Sequence, residues 1–110
     1  MKNVLKREKD FDYVFSKGKR AGCRTLTIVY VKASELKAGF CVGKKHGKAH
    51  IRNYVKRLLR NAFHVYRNLL DDYYIAIIPK VKESYSLKEF IDDMAYLFSK
   101  ENLFKWENYW

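Results

Sequence analysis

The lysines and arginines of this chain are its clearest candidates for chemistry, and the chemistry that they suit is phosphate binding. Residues 36–70 hold nine Lys and Arg and no Asp or Glu, whereas residues 1–35 and 71–110 carry both signs of charge. The net charge of +11 is therefore unevenly distributed. A stretch of cations without acids favours a polyanion, and RNA or DNA phosphate is the best physical match. A basic surface that only aids solubility is the plainer interpretation, but solubility does not require acids to be excluded.

Two predicted elements carry these cations. Residues 42–50, called the basic loop below, contain two glycines and three lysines. From Ile51 onward, apolar side chains recur at helical spacing, which predicts a long amphipathic helix. Arg52, Lys56 and Arg60 recur every four residues and therefore lie along one line of that helix. The candidate RNA-binding residues are Lys44, Lys45, Lys48, Arg52, Asn53, Lys56, Arg57 and Arg60.

Asn53 is the uncharged member of that set. Its amide offers both a donor and an acceptor, so it can hold a phosphate, a sugar hydroxyl or a metal-bound water. The alternative is that Asn53 only caps or fills a turn.

Residues for catalysis by the protein itself are much less evident. The adjacent acids at residues 71–72 and 92–93 would point about 100° apart on a helix, and such pairs rarely form a two-metal site. The two cysteines are not spaced as zinc ligands. Three histidines could act as acid or base in RNA cleavage, but we interpret them as surface residues that add partial positive charge: His46, His50 and His64. We predict no catalytic and no metal-binding residue.

The chain is predicted to form one domain over residues 1–110, with 48% apolar residues to build a modest core. The pattern predicts a first helix around Phe11, Val14 and Phe15, a basic turn at 17–20, a strand at 26–31, a second strand at 39–42 that pairs with the first as a hairpin, the long basic helix, a buried strand at 73–78, and a last helix with Ser86 as N-cap. The aromatic tail, residues 103–110, is expected to dock as a short helix or strand.

The order of these elements predicts the architecture. Strand, helix and strand over residues 39–78 indicate a parallel pair with the basic helix as crossover. The expected result is a small α/β sandwich with helices on one face of a four-stranded sheet. General stereochemistry favours a right-handed crossover.

The central motif also resembles a known family. Gly43-Lys-Lys-His-Gly-Lys-Ala-His-Ile-Arg-Asn-Tyr-Val-Lys-Arg-Leu-Leu-Arg60 is similar to the signature of the bacterial ribonuclease P protein subunit, in which a Gly-Lys-Lys-x-Gly-x-Ala loop runs into Arg-Asn-Arg. Asp10-Phe-x-x-Val-Phe15 resembles the first helix of that family, and the likeness extends over about residues 5–100. Three positions depart from the pattern: Tyr54 replaces the second Arg, Lys48 an Asn, and Asn61 an acid or Gln.

The resemblance implies a fold and a function. The fold is an α/β sandwich like domain two of ribosomal protein S5, with a four-stranded sheet, about three helices and an unusual left-handed β-α-β crossover. The protein would bind a catalytic RNA, and together they would remove the 5′ leader of precursor tRNA by Mg²⁺-dependent hydrolysis, with the catalytic groups and most of the Mg²⁺ binding in the RNA. The residues that would form a cleft for the leader are Phe11, Phe15, Thr27 and Val29.

Two other interpretations remain open at this point. One is a non-enzymatic RNA-binding protein of ribosomal type, and the other is a nuclease that works without RNA. No segment approaches the ~20 apolar residues of a membrane span, and the N-terminus lacks an apolar signal core. We therefore expect a cytoplasmic protein with no membrane contact. The expected partners are the catalytic RNA and precursor tRNA, and nothing in the sequence points to a protein partner.

Overall fold

A four-stranded sheet and three helices build the fold, and the computed structural model describes residues 4–105. The helices are α1 (Glu8–Lys17), α2 (Ala49–Tyr66) and α3 (Leu87–Lys100), and the strands are β1 (Lys19–Gly22), β2 (Leu26–Lys32), β3 (Lys37–Phe40) and β4 (Tyr73–Pro79). A 3₁₀ turn, Lys44–His46, lies in the basic loop. Among the described residues, none of the helices is long and apolar enough to cross a membrane.

The strand order is β1-β2-β4-β3, with β3 and β4 parallel and the other pairs antiparallel. The parallel pair predicted over residues 39–78 is confirmed. The predicted hairpin is wrong, because β4 lies between β2 and β3, where its near-continuous apolar run is covered on both faces. A basic turn was predicted at residues 17–20, but the strand β1 begins already at Lys19. β1 lies at the edge of the sheet, where charged side chains such as Lys and Arg are common.

The crossover through α2 is left-handed, and its hand follows from two backbone hydrogen bonds. The sheet is viewed with β3 and β4 running upward and with α2 between the sheet and the viewer. The side chain of Ala38 then points toward the viewer. In a strand of L-residues that runs upward, a residue whose side chain points toward the viewer has its carbonyl on the right. The carbonyl of Ala38 accepts from the N–H of Leu5, 2.8 Å away, and not from β4. Cys41, whose side chain faces away, donates instead to the carbonyl of Ile77 in β4. β4 therefore lies to the left of β3, as the family resemblance implied and against the general stereochemical expectation.

Helices cover both faces of the sheet, which corrects the prediction that they share one face. The larger core lies between the sheet and the pair α2 and α3, and includes Ile28, Ile75 and Phe63. The smaller core lies under α1, where Val14 packs with Val29 and Ala76. The side chains of β2 and β4 alternate between these two cores.

The two longer helices form as their sequence patterns predict. The apolar stripe of α2 is confirmed by the buried side chains of Val55, Leu58, Leu59 and Ala62. For α3, the Ser86 hydroxyl accepts from the N–H of Glu89 at 3.4 Å, which confirms Ser86 as the N-cap. 

The end of α3 is tied to the sheet by a buried hydroxyl and a carboxylate. Tyr30 Oη of β2 donates to Glu101 Oε1, and Lys19 Nζ lies 3.4 Å from the same oxygen. The hydrogen bond from Tyr30 lowers the pKa of Glu101, and Lys19 contributes to the shift. After α3, Leu103 is buried and Phe104 pairs with Leu70, which confirms the predicted docking for residues 103–105; residues 106–110 lie outside the described part of the chain.

We predict that Tyr30→Phe lowers the free energy of unfolding at pH 7 by roughly 1.5–3 kcal/mol, the usual range for a hydrogen bond to a charged group. The pKa of Glu101 is lower in the folded state, so its contribution is present above the unfolded carboxyl pKa of about 4.3 and is lost as pH falls through the folded value. Thermal unfolding from pH 7 to pH 3 should show the difference from the parent shrinking in acid.

Tyr66→Phe is the matched control, because Tyr66 Oη donates to a backbone carbonyl, that of Ile91, at 3.0 Å. A carbonyl does not titrate, so the effect of this variant should not depend on pH in this range. A Tyr30→Phe deficit of equal size at pH 7 and pH 3 would contradict the assignment.

Candidate nucleic-acid interface

The basic loop and α2 present their cations without acids to pair them. Within residues 4–105, every ion pair uses a cation from another part of the chain: Lys19, Arg24, Lys32, Lys82 or Lys88. The first turn of α2 contains no acid. Arg52 also lacks a hydrogen-bond partner at one buried atom, because its Nε is inaccessible to solvent and has no acceptor among the described residues. Buried donors are usually satisfied, so this side of the fold suits an external anion.

His46 fixes the basic loop to the end of β4. Its ring is buried, Nε2 donates to the carbonyl of Pro79 at 2.7 Å, and Nδ1 accepts from the N–H of Gly43 at 3.0 Å. Both ring nitrogens are thus engaged with backbone groups of the loop and of β4. The interpretation of His46 as a surface residue is wrong, whereas His50 and His64 are exposed as predicted.

The loop turns into α2 at Gly47. Its φ of 121° is a conformation that residues with a side chain rarely adopt, and an added Cβ would also press on Ile51. Lys44, Lys45 and Lys48 are exposed on either side of this turn. Glycine and histidine thus set the backbone path, and the lysines are left to face solvent.

One flank of α2 faces the N-terminal part of the chain. Lys56 and Arg60 line a cavity of about 200 Å³ together with Phe11 of α1 and Phe40 of β3. Val4 and Leu5 complete the lining. The sequence analysis placed Phe11 in the leader cleft and Lys56 and Arg60 among the other RNA-binding residues. The structure brings all three side chains to the same cavity.

Phe11 reaches this position because Gly39 has no side chain. A Cβ atom on Gly39 would overlap the Phe11 ring, so the ring packs directly over β3. Phe15 follows one turn later on α1, with its ring stacked 6.4 Å from that of Phe11 and 45% of the residue exposed. The predicted pair of Phe rings is therefore assembled, half in the core and half at the surface.

The other two predicted cleft residues differ in accessibility. Thr27 and Val29 point to the α1 face of the sheet, as their common parity requires. Thr27 is half-buried, but Val29 is only 2% exposed beneath Val14. Val29, predicted to share the cleft floor with Thr27, is therefore packed below the surface, and the contact of these two residues with a leader stays a prediction.

The outward face of α2 carries the remaining candidates. Asn53 and Arg57 are exposed, and the Arg57 guanidinium lies over the ring of Tyr54, with Cζ 5.5 Å from the ring centre. Asn53 lies in the second turn of α2, away from both ends of the helix. The alternative that it only caps or fills a turn is therefore wrong.

Phe40 and Gly39 were missed by sequence reasoning, although both belong to the site. Gly39 within a strand was the available signal, because such a glycine often marks a close approach of another group. Phe40 gave no signal, since its neighbours Lys56 and Arg60 come from a distant helix.

The buried acid Asp93, on α3, is already engaged by other side chains. Asp93 accepts from the backbone N–H of Thr25 at 3.1 Å and from its hydroxyl, and pairs with Arg24 at 3.3 Å. Residues 4–105 contain no group of three or more His, Cys, Asp and Glu that could hold a metal ion.

Comparisons with known proteins agree on one family. A family model described as Ribonuclease P matches residues 1–102. The chain is 36% identical over 108 residues to the ribonuclease P protein component of Bacillus velezensis, which covers 94% of this chain and 93% of the relative. It is 33% identical to that of Phytoplasma australiense, with 93% of both chains covered.

Solved structures show the same fold. The Staphylococcus aureus RNase P protein superposes with a TM-score of 0.84 at 20% identity, covering 96% of this chain and all of that one. The Thermotoga maritima RNase P protein superposes with a TM-score of 0.78 at 24% identity, covering 88% and 96%.

We predict that His46→Ala lowers the free energy of unfolding by about 1–3 kcal/mol, because two buried hydrogen bonds are lost. Backbone amides of residues 43–48 should also exchange with deuterium faster. The control is His64→Ala, on the exposed face of α2, which should behave like the parent in both measurements. Parent-like melting and exchange in His46→Ala would show that the ring does not hold the loop.

Proposed function

This chain belongs to the bacterial ribonuclease P protein family, and we propose that it binds the catalytic RNA of ribonuclease P and the 5′ leader of precursor tRNA. In that assembly it assists the endonucleolytic removal of the leader, which produces the mature 5′ end of the tRNA. As a protein component of ribonuclease P, the chain has RNA as a partner; which RNA each surface meets is part of the proposal.

The observation that carries the proposal is the concentration of unpaired cations in the basic loop and α2. Five cations lie in ion pairs elsewhere on the fold, while no cation of the basic loop or α2 forms an ion pair within residues 4–105, and the whole stretch of residues 36–70 contains no Asp or Glu. Arg52 adds a buried donor without a partner. Arg and Lys are the side chains that bind the phosphates of RNA, and release of counterions drives such binding.

In this proposal, cleavage chemistry belongs to the RNA subunit. Mg²⁺ prefers carboxylate, carbonyl and water oxygens, and the side chains of the interface, cationic apart from Asn53, do not fit that preference. Both oxygens of Asp93 are engaged by Thr25 and Arg24. We therefore assign Mg²⁺ binding mainly to the RNA and no catalytic group to the protein. Work on precursor tRNA would place the protein in the cytoplasm.

The proposed path of the leader runs along the Phe11–Phe15 pair to the cavity beside Lys56 and Arg60. Single strands are bound by aromatic faces next to a cationic groove. The stacked rings supply the faces, and the two cations of α2 supply charge at the same cavity. Arg52 and the lysines of the basic loop are then left for the catalytic RNA.

Reconstitution tests the function as a whole. We expect precursor tRNA to be cut at low Mg²⁺ only when the protein and a bacterial ribonuclease P RNA are both present. Cutting by the protein alone would identify a self-sufficient nuclease. If the protein leaves the activity of the RNA unchanged, it is an RNA-binding protein of another kind.

Phe15→Ala tests the leader site. A lost base stack is worth about 1–3 kcal/mol, so the holoenzyme should bind precursor tRNA roughly 5- to 100-fold more weakly, with binding of mature tRNA unchanged. Phe15 is a better choice than Phe11, because its ring is largely exposed and its removal spares the core.

Tyr13→Ala is the matched control. Tyr13 is 44% exposed, similar to Phe15, but lies on the opposite flank of α1. Discrimination between precursor and mature tRNA that survives in folded Phe15→Ala, or that is lost equally in Tyr13→Ala, would place the leader elsewhere.

A further inference from the structure

We propose that Tyr54 and Arg57 form a stacking platform on α2 for an unpaired nucleobase of the RNA that this helix binds. The proposal rests on the proposed function, because it takes RNA as the ligand of α2. It adds a contact to a base on a helix whose other predicted contacts are to phosphates.

Tyr54 has no structural task that explains it. It follows Arg52 and Asn53 on α2 and is 43% exposed, whereas the adjacent Val55 is completely buried. The core of α2 is built by the other face of the helix, so the ring of Tyr54 contributes little to packing. An exposed aromatic ring within a cationic surface is typical of a contact with a partner.

Arg57 prepares the ring for such a contact. Its guanidinium lies over the Tyr54 ring, with Cζ 5.5 Å from the ring centre, one helical turn along. An exposed cation–π contact of this kind is weak, but it limits the freedom of both side chains. Arg57 has no acidic partner within residues 4–105, so its N–H donors remain available to a phosphate.

A nucleobase fits this pair better than other ligands do. Single-stranded segments of RNA present flat, unstacked bases next to phosphates, and proteins bind them with an aromatic ring beside a cation. The absence of Asp and Glu from residues 36–70 disfavours a basic protein partner. Tyr54 also occupies the position of the second Arg in the Arg-Asn-Arg motif of the family. At this position, an aromatic ring that can stack on a base replaces a positively charged side chain.

Stacking and charge pairing differ in their dependence on salt. A phosphate contact releases counterions and contributes about one unit to the slope of log affinity against log salt, whereas a stack contributes none. Equilibrium binding of a bacterial ribonuclease P RNA, measured from 50 to 200 mM salt, separates the two. Tyr54→Ala should weaken binding about 5- to 100-fold at every salt concentration with an unchanged slope, and Tyr54→Phe should bind like the parent.

Tyr96→Ala provides a matched control. Tyr96 is 55% exposed on α3, and Lys100 Nζ lies 5.7 Å from its ring centre, so it is a similar pair on another helix, beside Gly22 and Arg24 rather than on the cationic face of α2. It should bind RNA like the parent. A loss of affinity equal to that of Tyr54→Ala would overturn the proposal, because it would show a general effect of exposed rings.

Arg52→Ala in the same titration separates this proposal from the proposed function. A slope reduced by about one unit in Arg52→Ala, with parent-like binding of Tyr54→Ala, would overturn the stacking platform alone. Parent-like affinity and slope in both variants would overturn RNA binding by α2 as well. Weak binding of Tyr54→Phe, equal to that of Tyr54→Ala, would overturn stacking in favour of a hydroxyl contact.

Discussion

Burial of one face of α2 against the sheet and α3 holds the functional surface in place. Completely buried side chains such as Val55, Leu59 and Phe63 contribute roughly 1.5–3 kcal/mol each. Repulsion between cations four residues apart on the opposite face costs only ~0.2–0.5 kcal/mol per pair. The apolar face therefore decides that the helix forms, and the cations of the other face cost the fold little.

The left-handed crossover determines what lies beside that helix. α2 begins where the basic loop leaves β3, and His46 ties the loop to the carbonyl of Pro79 at the end of β4. One flank of α2 is then turned toward α1, so that Lys56 and Arg60 share a cavity with Phe11. Cationic and aromatic side chains thus meet at one cavity, although they are more than 40 positions apart in the sequence.

Features set by local sequence were predictable, and those set by tertiary contacts were not. Ser86 as N-cap, the stripe from Val55 to Ala62 and the shared face of Thr27 and Val29 follow from spacing alone. The insertion of β4 between β2 and β3 depends on pairing between distant segments, so the sequence suggested a hairpin instead. The burial of Val29 could be predicted only by knowing that α1 packs on the second face of the sheet. The spacing of apolar residues does not show which face a helix covers.

His46 shows the same limit within the candidate site. A histidine between lysines in a glycine-containing loop has the pattern of an exposed residue, and its two partners are Gly43, three residues away, and Pro79, at the end of a strand formed later in the chain. The family resemblance identified the left-handed crossover correctly, where general stereochemistry favoured the other hand.

The ion pairs of the described residues lie outside the basic loop and α2. Exposed ion pairs contribute only about 0–1 kcal/mol each to stability, so Lys32–Asp71 and Lys88–Asp92 matter little for the fold itself. Their effect on the electrostatic field is local, because each acid offsets the charge of the cation beside it. No acid does so for the cations of the basic loop and α2, which lie in a stretch without Asp or Glu, and such a concentration of one sign of charge attracts an approaching polyanion before contact. With 12 acids among 23 cations, the placement of the acids outside residues 36–70 thus concentrates unpaired positive charge on the helix whose apolar face packs in the core.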